Sequence, residues 1–358
     1  MSRWVLVADG GDGQSRDAIA AVRALASGGY RPALAVSGRT SAIGRSRRAT
    51  RVIRVPSMAE DGYREAIREE LAGAGYLTVL PASEGAFLAL GPEVPHLTNK
   101  ASLEAAAWSV GVSVPRSETF ADADSLLEHA DGLDFPVVVK PAVRTFNAFR
   151  ADGPSDLRWV PRDATEIVVQ PFLNGELGAV SGVMWRGRVV AGVHERWLRI
   201  WPAHCGLASA AVTVEPDREV ERKLEVLLQG YEGIFCTQWL DGHLLDLNLR
   251  VYSTHPLAVK AGVNLLSLYC DLLDGREVPS VRARAGFFYR WLEGDVRNIV
   301  RQMRRREMEV ATALRALAPK RNAAHSIESL RDPGPVVARL RYALGRAHLP
   351  FDARRVAK

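Results

Sequence analysis

The chain has 358 residues, 47% of them hydrophobic and 25% charged, enough for two or three domains of ordinary globular character. No apolar run reaches the length of a membrane span, the start MSRWVLVADGG is too short in apolar residues for a signal peptide, and three scattered cysteines (Cys205, Cys236, Cys270) make neither a disulfide framework nor a zinc site. These features predict a reduced, cytoplasmic protein, and the formal charge of +6 favours anionic ligands such as nucleotides.

Residues 3 to 98 alternate strand and helix signals. WVLVAD reads as a buried strand, SRDAIAAVRALASGG as a helix capped by Ser15, and RPALAVSG as a second strand. RVIRVP and YLTVLPAS give further strands, with EDGYREAIREELAGAG a helix between them. The order predicts a small parallel, Rossmann-like sheet. Its first turn, Gly10-Gly11-Asp12-Gly13-Gln14-Ser15-Arg16, is a poor dinucleotide fingerprint. Arg16 stands at the third glycine position, and Ser37-Gly38-Arg39 offers no acid for a ribose.

A helix is predicted from Lys100 to about Val110, ending at Gly111, with Pro115 opening an extended run. FPVVVKP follows as a buried strand closed by Lys140, a cation that must find a partner or reach water. The loop AVRTFNAFRADG holds a single glycine, Gly153, and the cations Arg144 and Arg150. EIVVQPFLNGE reads as a strand leaving into a turn, with Gln170-Pro171-Phe172-Leu173 as a linker. Pro171 has no N–H, so Leu173 is the backbone donor to expect there.

AVSGVMWRG and VVAGVHERW suit a hairpin turning at Arg186-Gly187-Arg188. The stretch HERWLRIWPAHCGLAS then carries His194, Arg196 and Arg199, and PDREVERKLEVLLQGY is an amphipathic helix. A second hairpin joins IFCTQWL to LLDLNLRV. Leu245, Leu247, Leu249 and Val251 alternate with Asp246, Asn248 and Arg250. A three-residue turn, Asp241-Gly242-His243, would set Gln238 opposite Asp246 on one face. The polar face is either a solvated strand surface or a cluster of hard oxygen ligands with a cation beside it. Beyond Gly275 come two basic helical patterns, VRNIVRQMRRREMEVATALRALAP and DPGPVVARLRYALGRAHLP.

Gln238 followed by Asp246-x-Asn248-x-Arg250, then LAVKAGVNL, resembles the metal-binding end of ATP-grasp ligases, whose pattern is Glu and then Glu-x-Asn-x-Arg. Lys100, FPVVVKP and EIVVQPFLNGE follow in the same order as in that family. The resemblance implies an α/β and α+β protein with three parts. These are a Rossmann-like pre-ATP-grasp domain (1–98), a two-subdomain ATP-grasp domain (99–275) hinged near 170–176, and a basic helical C-terminal region (276–358).

The same resemblance implies ATP and Mg²⁺, with Mn²⁺ as a substitute, and an ADP-producing ligase that joins a small-molecule carboxylate to an amine through an acyl phosphate. Lys100 and Lys140 would contact phosphates, and Gln170, Phe172, Leu173 and Glu176 the nucleoside. Gln238, Asp246 and Asn248 would hold Mg²⁺. Arg250 would stabilise the acyl phosphate or tetrahedral intermediate, with His194, Arg196 and Arg199 as substrate or γ-phosphate contacts. His204 and Cys205 stand where glycine is commoner. No membrane partner is expected, and the oligomeric state is open, a homodimer being one outcome. Two alternatives are a nucleotide-binding homologue without ligase chemistry and a nucleic-acid-binding protein using the arginine-rich tail.

Overall fold

The computed structural model describes residues 3–9, 11, 15–37, 42–58, 60–92, 94–143 and 145–346. Gly10, Asp12, Gly13 and Gln14 of the glycine turn, Gly38, Arg39 and Arg144 lie outside them. The chain divides into two compact units, Met1–Gly91 with Val251–Ser253 and His325–Lys358, and Pro92–Arg250 with Thr254–Ala324. Among the described residues no helix is long and apolar enough to cross a membrane.

The first unit runs β1 (Trp4–Asp9), α1 (Arg16–Ser27), β2 (Arg31–Val36), β3 (Arg51–Arg54), α2 (Tyr63–Ala74), β4 (Thr78–Pro81) and α3 (Glu84–Leu90). Its sheet has the order β3-β2-β1-β4, and every pairing is parallel, as the alternation of elements predicts. Ser15 caps α1 by accepting from Ala18 N at 3.2 Å. Leu6, Ala8, Ala33, Ala35 and Ile67 form the apolar interior between sheet and helices. Asp332 is buried here and accepts from Arg23 Nε at 2.9 Å, Ser46 Oγ at 2.7 Å and Arg47 N at 2.9 Å. Three donors on one carboxylate anchor the segment that leads into the C-terminal helix.

The second unit opens with α4 (Pro95–Thr98) and α5 (Lys100–Ser109), followed by β5 (Glu118–Asp122), α6 (Ala123–Glu128), β6 (Val137–Pro141), β7 (Phe149–Ala151) and β8 (Thr165–Pro171). These strands pair antiparallel in the order β5-β8-β6-β7 over a core of Phe120, Leu126, Val139, Leu157 and Ile167.

A larger sheet follows from β9 (Leu177–Trp185), β10 (Arg188–Trp201), β11 (Leu207–Thr213), helix α7 (Arg218–Leu227), β12 (Gly233–Leu240) and β13 (His243–Asn248). Then come α8 (His255–Lys260), α9 (Leu265–Leu273), β14 (Val281–Arg282), β15 (Phe288–Arg290), α10 (Leu292–Arg304), α11 (Val310–Leu317) and β16 (Ala323–His325). Its order is β13-β12-β9-β10-β11-β15-β16, with β14 alongside β10. Arg186 and Gly187 both take positive φ (49° and 74°) between β9 and β10, the two-residue turn that matches strand twist.

The first basic pattern of the tail is two helices rather than one. Arg306, at φ 59°, interrupts it between α10 and α11. The second pattern begins at α12 (Gly334–Arg346), which falls in the first unit.

Candidate active site

Strand register assembles the site. Glu195 of β10, Ala179 of β9, Gln238 of β12 and Asp246 of β13 stand side by side in one row. Directly paired residues share a face, and the next row on that face is Val193, Ser181, Cys236 and Asn248. The pairing of Gln238 with Asp246 thus stands as expected, but its cause is different. The turn has two residues, Asp241 and Gly242 (φ 45° and 81°), and His243 already pairs with Leu240.

The offset is absorbed by a bulge, since Trp239 pairs with Leu244 and Gln238 with Asp246, which leaves Leu245 as an extra residue. The bulge also corrects the apolar face. Leu244, 1% exposed, replaces the expected Leu245, whereas Leu247, Leu249 and Val251 are buried as the alternation predicts. The unpaired Leu245 carbonyl is then available to something else. It accepts from Lys140 Nζ at 3.1 Å.

Lys140, next to last in β6, has 7% of its surface exposed. Burial pulls its ammonium down to about 8, against the attraction of Asp246 and with the repulsion of Lys100. Lys100 starts α5, where Asn99 caps the helix by accepting from Ala101 N and Ser102 N. A cation at this end opposes the helix dipole, so its position calls for a nearby anion. The Lys100 ammonium lies 3.6 Å from Asp246 Oδ1. Asn248 Nδ2 donates to Asp246 Oδ2 at 3.1 Å. Burial pushes the Asp246 carboxyl up, but Lys100, Lys140, Asn248 and Arg250 outweigh it and hold it below the usual range. Lys100 thus touches this carboxylate directly, while Lys140 and Arg250 act on it through their charge. Gln238, Asp246 and Asn248 supply hard oxygens of the kind Mg²⁺ takes, one carboxylate and two amide carbonyls. Among the described residues no three His, Cys, Asp or Glu side chains form a competing cluster.

At the linker, the Gln170 side chain is buried and Nε2 donates to Pro115 O at 3.3 Å. Phe172 N donates to Pro136 O at 2.9 Å, which leaves Leu173 as the next amide along the chain. Glu176 is tied by its backbone N–H to Asp241 Oδ1 at 2.8 Å, and its exposed carboxylate lies 3.6 Å from Arg196.

The structure does not bring His194, Arg196 and Arg199 to the oxygen cluster. His194 and Arg196 flank Glu195 on β10 and so point to the other face. There His194 Nε2 meets Glu221 of α7 at 3.1 Å. A register shift between Trp197 and Arg199 turns Arg199 to that same face. Its guanidinium is bidentate on the fully buried Asp295 of α10 (2.6 and 3.2 Å), which Arg290 also contacts at 3.1 Å.

Two features were missed. Glu195 is 3% exposed and accepts from Thr254 Oγ1 at 2.9 Å. The signal was present in Val193-His194-Glu195-Arg196-Trp197, where the acid falls on the inward phase between two apolar residues. The second feature surrounds His204, which takes φ 74°. Its ring meets Phe172 edge-on with centroids 5.5 Å apart, Arg150 lies 4.3 Å over Phe172, and Arg301 Nη2 reaches His204 Nε2 at 3.2 Å.

No protein-family model and no curated protein sequence matches the chain. Solved structures do share its architecture. An L-amino acid ligase from Bacillus licheniformis superposes with TM-score 0.57 at 16% identity, over 75% of this chain and 74% of that one. N5-carboxyaminoimidazole synthetase from Staphylococcus aureus gives 0.58 at 11% identity, over 79% of each chain. The biotin carboxylase domain of Hydrogenobacter thermophilus 2-oxoglutarate carboxylase, in complex with MgADP, ADP and bicarbonate, gives 0.60 at 12% identity, over 80% and 73%. The fold is that of the ATP-grasp ligases.

Proposed function

We propose that the protein is an ATP-dependent carboxylate–amine ligase that works through an acyl phosphate. The observation that carries this reading is the gathering of Lys100, Lys140 and Arg250 around the carboxylate of Asp246. Three cations against the carboxylates of Asp246 and Glu104 leave an excess of positive charge that a phosphate chain would complete. A carboxylate oxygen of the acid attacks the γ-phosphorus and ADP leaves. The amine then attacks the acyl carbon, phosphate leaves, and the proton lost by the amine is carried off by phosphate and solvent. Positioning and charge neutralisation are what a protein contributes to such steps.

Lys140, held by the Leu245 carbonyl, and Lys100, held at a helix start, bind the phosphates. Leu173 supplies the backbone donor to the base, beside Gln170 and Phe172, and Glu176 faces the ribose. Gln238, Asp246 and Asn248 would hold Mg²⁺, which when bound neutralises phosphate charge. Arg250 stabilises the acyl phosphate or the tetrahedral intermediate. The L-amino acid ligase and the carboxyaminoimidazole synthetase of the same fold point to small-molecule substrates. The test is a matrix of carboxylic acids against amines, read as ADP and phosphate release with Mg²⁺. Release that requires both an acid and an amine supports the reading. ATP binding without release for any pair would favour a nucleotide-binding protein that has lost the chemistry.

A further inference from the structure

The face of the large sheet opposite the oxygen cluster carries a cavity of about 430 Å³, within the range of about 300–1,000 Å³ that small-molecule sites occupy. Arg188 at the start of β10, Arg218 and Arg222 at the start of α7 and Arg282 of β14 line it, and its acids are Glu221 and Glu225. The floor is saturated. Arg282 is bidentate on Glu221 (2.6 and 2.9 Å) and donates to Val189 O at 2.7 Å, and Glu221 also meets His194 Nε2 at 3.1 Å. Burial pushes the Glu221 carboxyl up, but His194, Arg282 and Arg218 outweigh it and pull it down to about 2. Glu221 is therefore ionised at neutral pH, and its charge offsets that of Arg282.

The rim is not balanced. Arg188, its side chain 77% exposed, reaches Glu225 through Nε alone at 3.4 Å. Arg218 Nη1 donates at 2.9 Å to Glu221 Oε2, an oxygen that Arg282 already uses. Arg222 Nε donates to the Arg218 carbonyl at 3.3 Å, and no carboxylate pairs with Arg222 among the described residues. Four guanidinium groups against two carboxylates leave two positive charges over. Arg218 and Arg222 also stand one turn apart on α7, where like charges destabilise a helix, and Arg218 opposes the dipole at its N-terminus. An anion held between them would relieve both.

We propose that this cavity binds a small anion carrying two adjacent phosphates, at a site separate from the nucleotide lysines. A guanidinium has five N–H donors, so Arg188, Arg218 and Arg222 each keep donors beyond the contacts above, and their fork matches phosphate oxygens. Two surplus positive charges call for a polyvalent anion rather than a single carboxylate. Side chains one helical turn apart, about 5–6 Å between their Cβ atoms, suit neighbouring phosphoryl groups. None of these residues belongs to the oxygen cluster or the linker, so the site stands whatever reaction the protein catalyses.

The test is calorimetric titration of the full chain with inorganic pyrophosphate and, separately, inorganic phosphate, in Lys140→Ala so that the nucleotide lysine is absent. Lys140→Met, which keeps an apolar stem in the buried position, is the second background should the first not fold. Pyrophosphate should bind saturably and at least ten-fold more tightly than phosphate. Arg188→Gln and Arg222→Gln, both at exposed positions, should each weaken pyrophosphate at least ten-fold when added to that background. Arg315→Gln, which removes an exposed arginine of α11, should leave its affinity unchanged. Pyrophosphate that binds wild type but neither Lys140 variant would overturn the proposal, because it would then sit on the nucleotide lysine. An unchanged affinity in folded Arg188→Gln and Arg222→Gln, or an equal loss in Arg315→Gln, would overturn it as well, the last by showing attraction to surface charge alone.

Discussion

At the scale of single residues, the site turns on how few negative charges it holds. Asp246 is the one carboxylate in the oxygen cluster, and Lys100, Lys140 and Arg250 surround it. Gln238 can coordinate Mg²⁺ through its carbonyl but cannot offset the ion's charge as a carboxylate does. Nucleotide phosphates would therefore supply most of the counter-charge, and the rate should keep rising with Mg²⁺ beyond the level that saturates ATP. Gln238→Glu should lower the Mg²⁺ concentration for half-maximal rate several-fold, while Asp246→Asn should nearly eliminate turnover. Initial rates against free Mg²⁺ at saturating ATP decide this, and an unmoved curve for the first variant with an active second would show the cluster to be an ordinary strand face. Lys140→Ala should abolish ATP binding in calorimetric titration while the protein stays folded. Its ammonium is buried on a strand end with the Leu245 carbonyl as acceptor, a placement that stability alone does not require.

At the scale of elements, the hairpin of β12 and β13 decides the geometry. The bulge at Leu245 keeps Gln238 opposite Asp246 and also frees the carbonyl that Lys140 uses. Deleting Leu245 should leave Leu244 and Asp246 consecutive, so Trp239 and Gln238 keep their partners in a regular ladder. The variant should fold with a melting temperature within a few degrees of wild type yet bind ATP at least ten-fold more weakly. Unchanged affinity in calorimetry would separate the bulge from nucleotide binding.

The same hairpin shows what the sequence could and could not disclose. Strand alternation located Asp246, Asn248 and Arg250 and predicted their common face, because period-two patterning is local. It could not distinguish a three-residue turn from a two-residue turn with a bulge, since both give the same Gln238–Asp246 pair. Arg199 was legible as a cation near the reacting end, but its partner Asp295 is 96 residues away, and a shift of one residue in β10 chooses its face. Glu195 was legible as an acid on an inward phase. What it touches, Thr254, depends on packing that no local pattern encodes.

At the scale of the whole molecule, Glu195 links the buried site to stability. Burial raises its carboxyl to about 8, whereas the unfolded chain releases that proton near pH 4.3, the usual glutamate value of about 4.3. Between those values the folded protein holds a proton the unfolded chain has lost, so this contribution is fully present below about pH 4.3 and fades as pH rises towards about 8. Glu195→Gln removes the dependence. Its melting temperature relative to wild type should climb across that window, by on the order of 5 °C at the alkaline end. Thermal melts of both proteins from pH 5 to 9 would show it, and a difference constant with pH would mean that Glu195 is ionised in the folded state.

If ATP activates a carboxylate as an acyl phosphate, an oxygen atom of the acid passes to phosphate and can be followed by isotope. With an acid and amine that support turnover, ¹⁸O placed in the substrate carboxylate should appear in inorganic phosphate, with ADP as the nucleotide product. Label found in AMP would mean instead that the carboxylate is activated at the α-phosphorus, and would rule out an acyl phosphate.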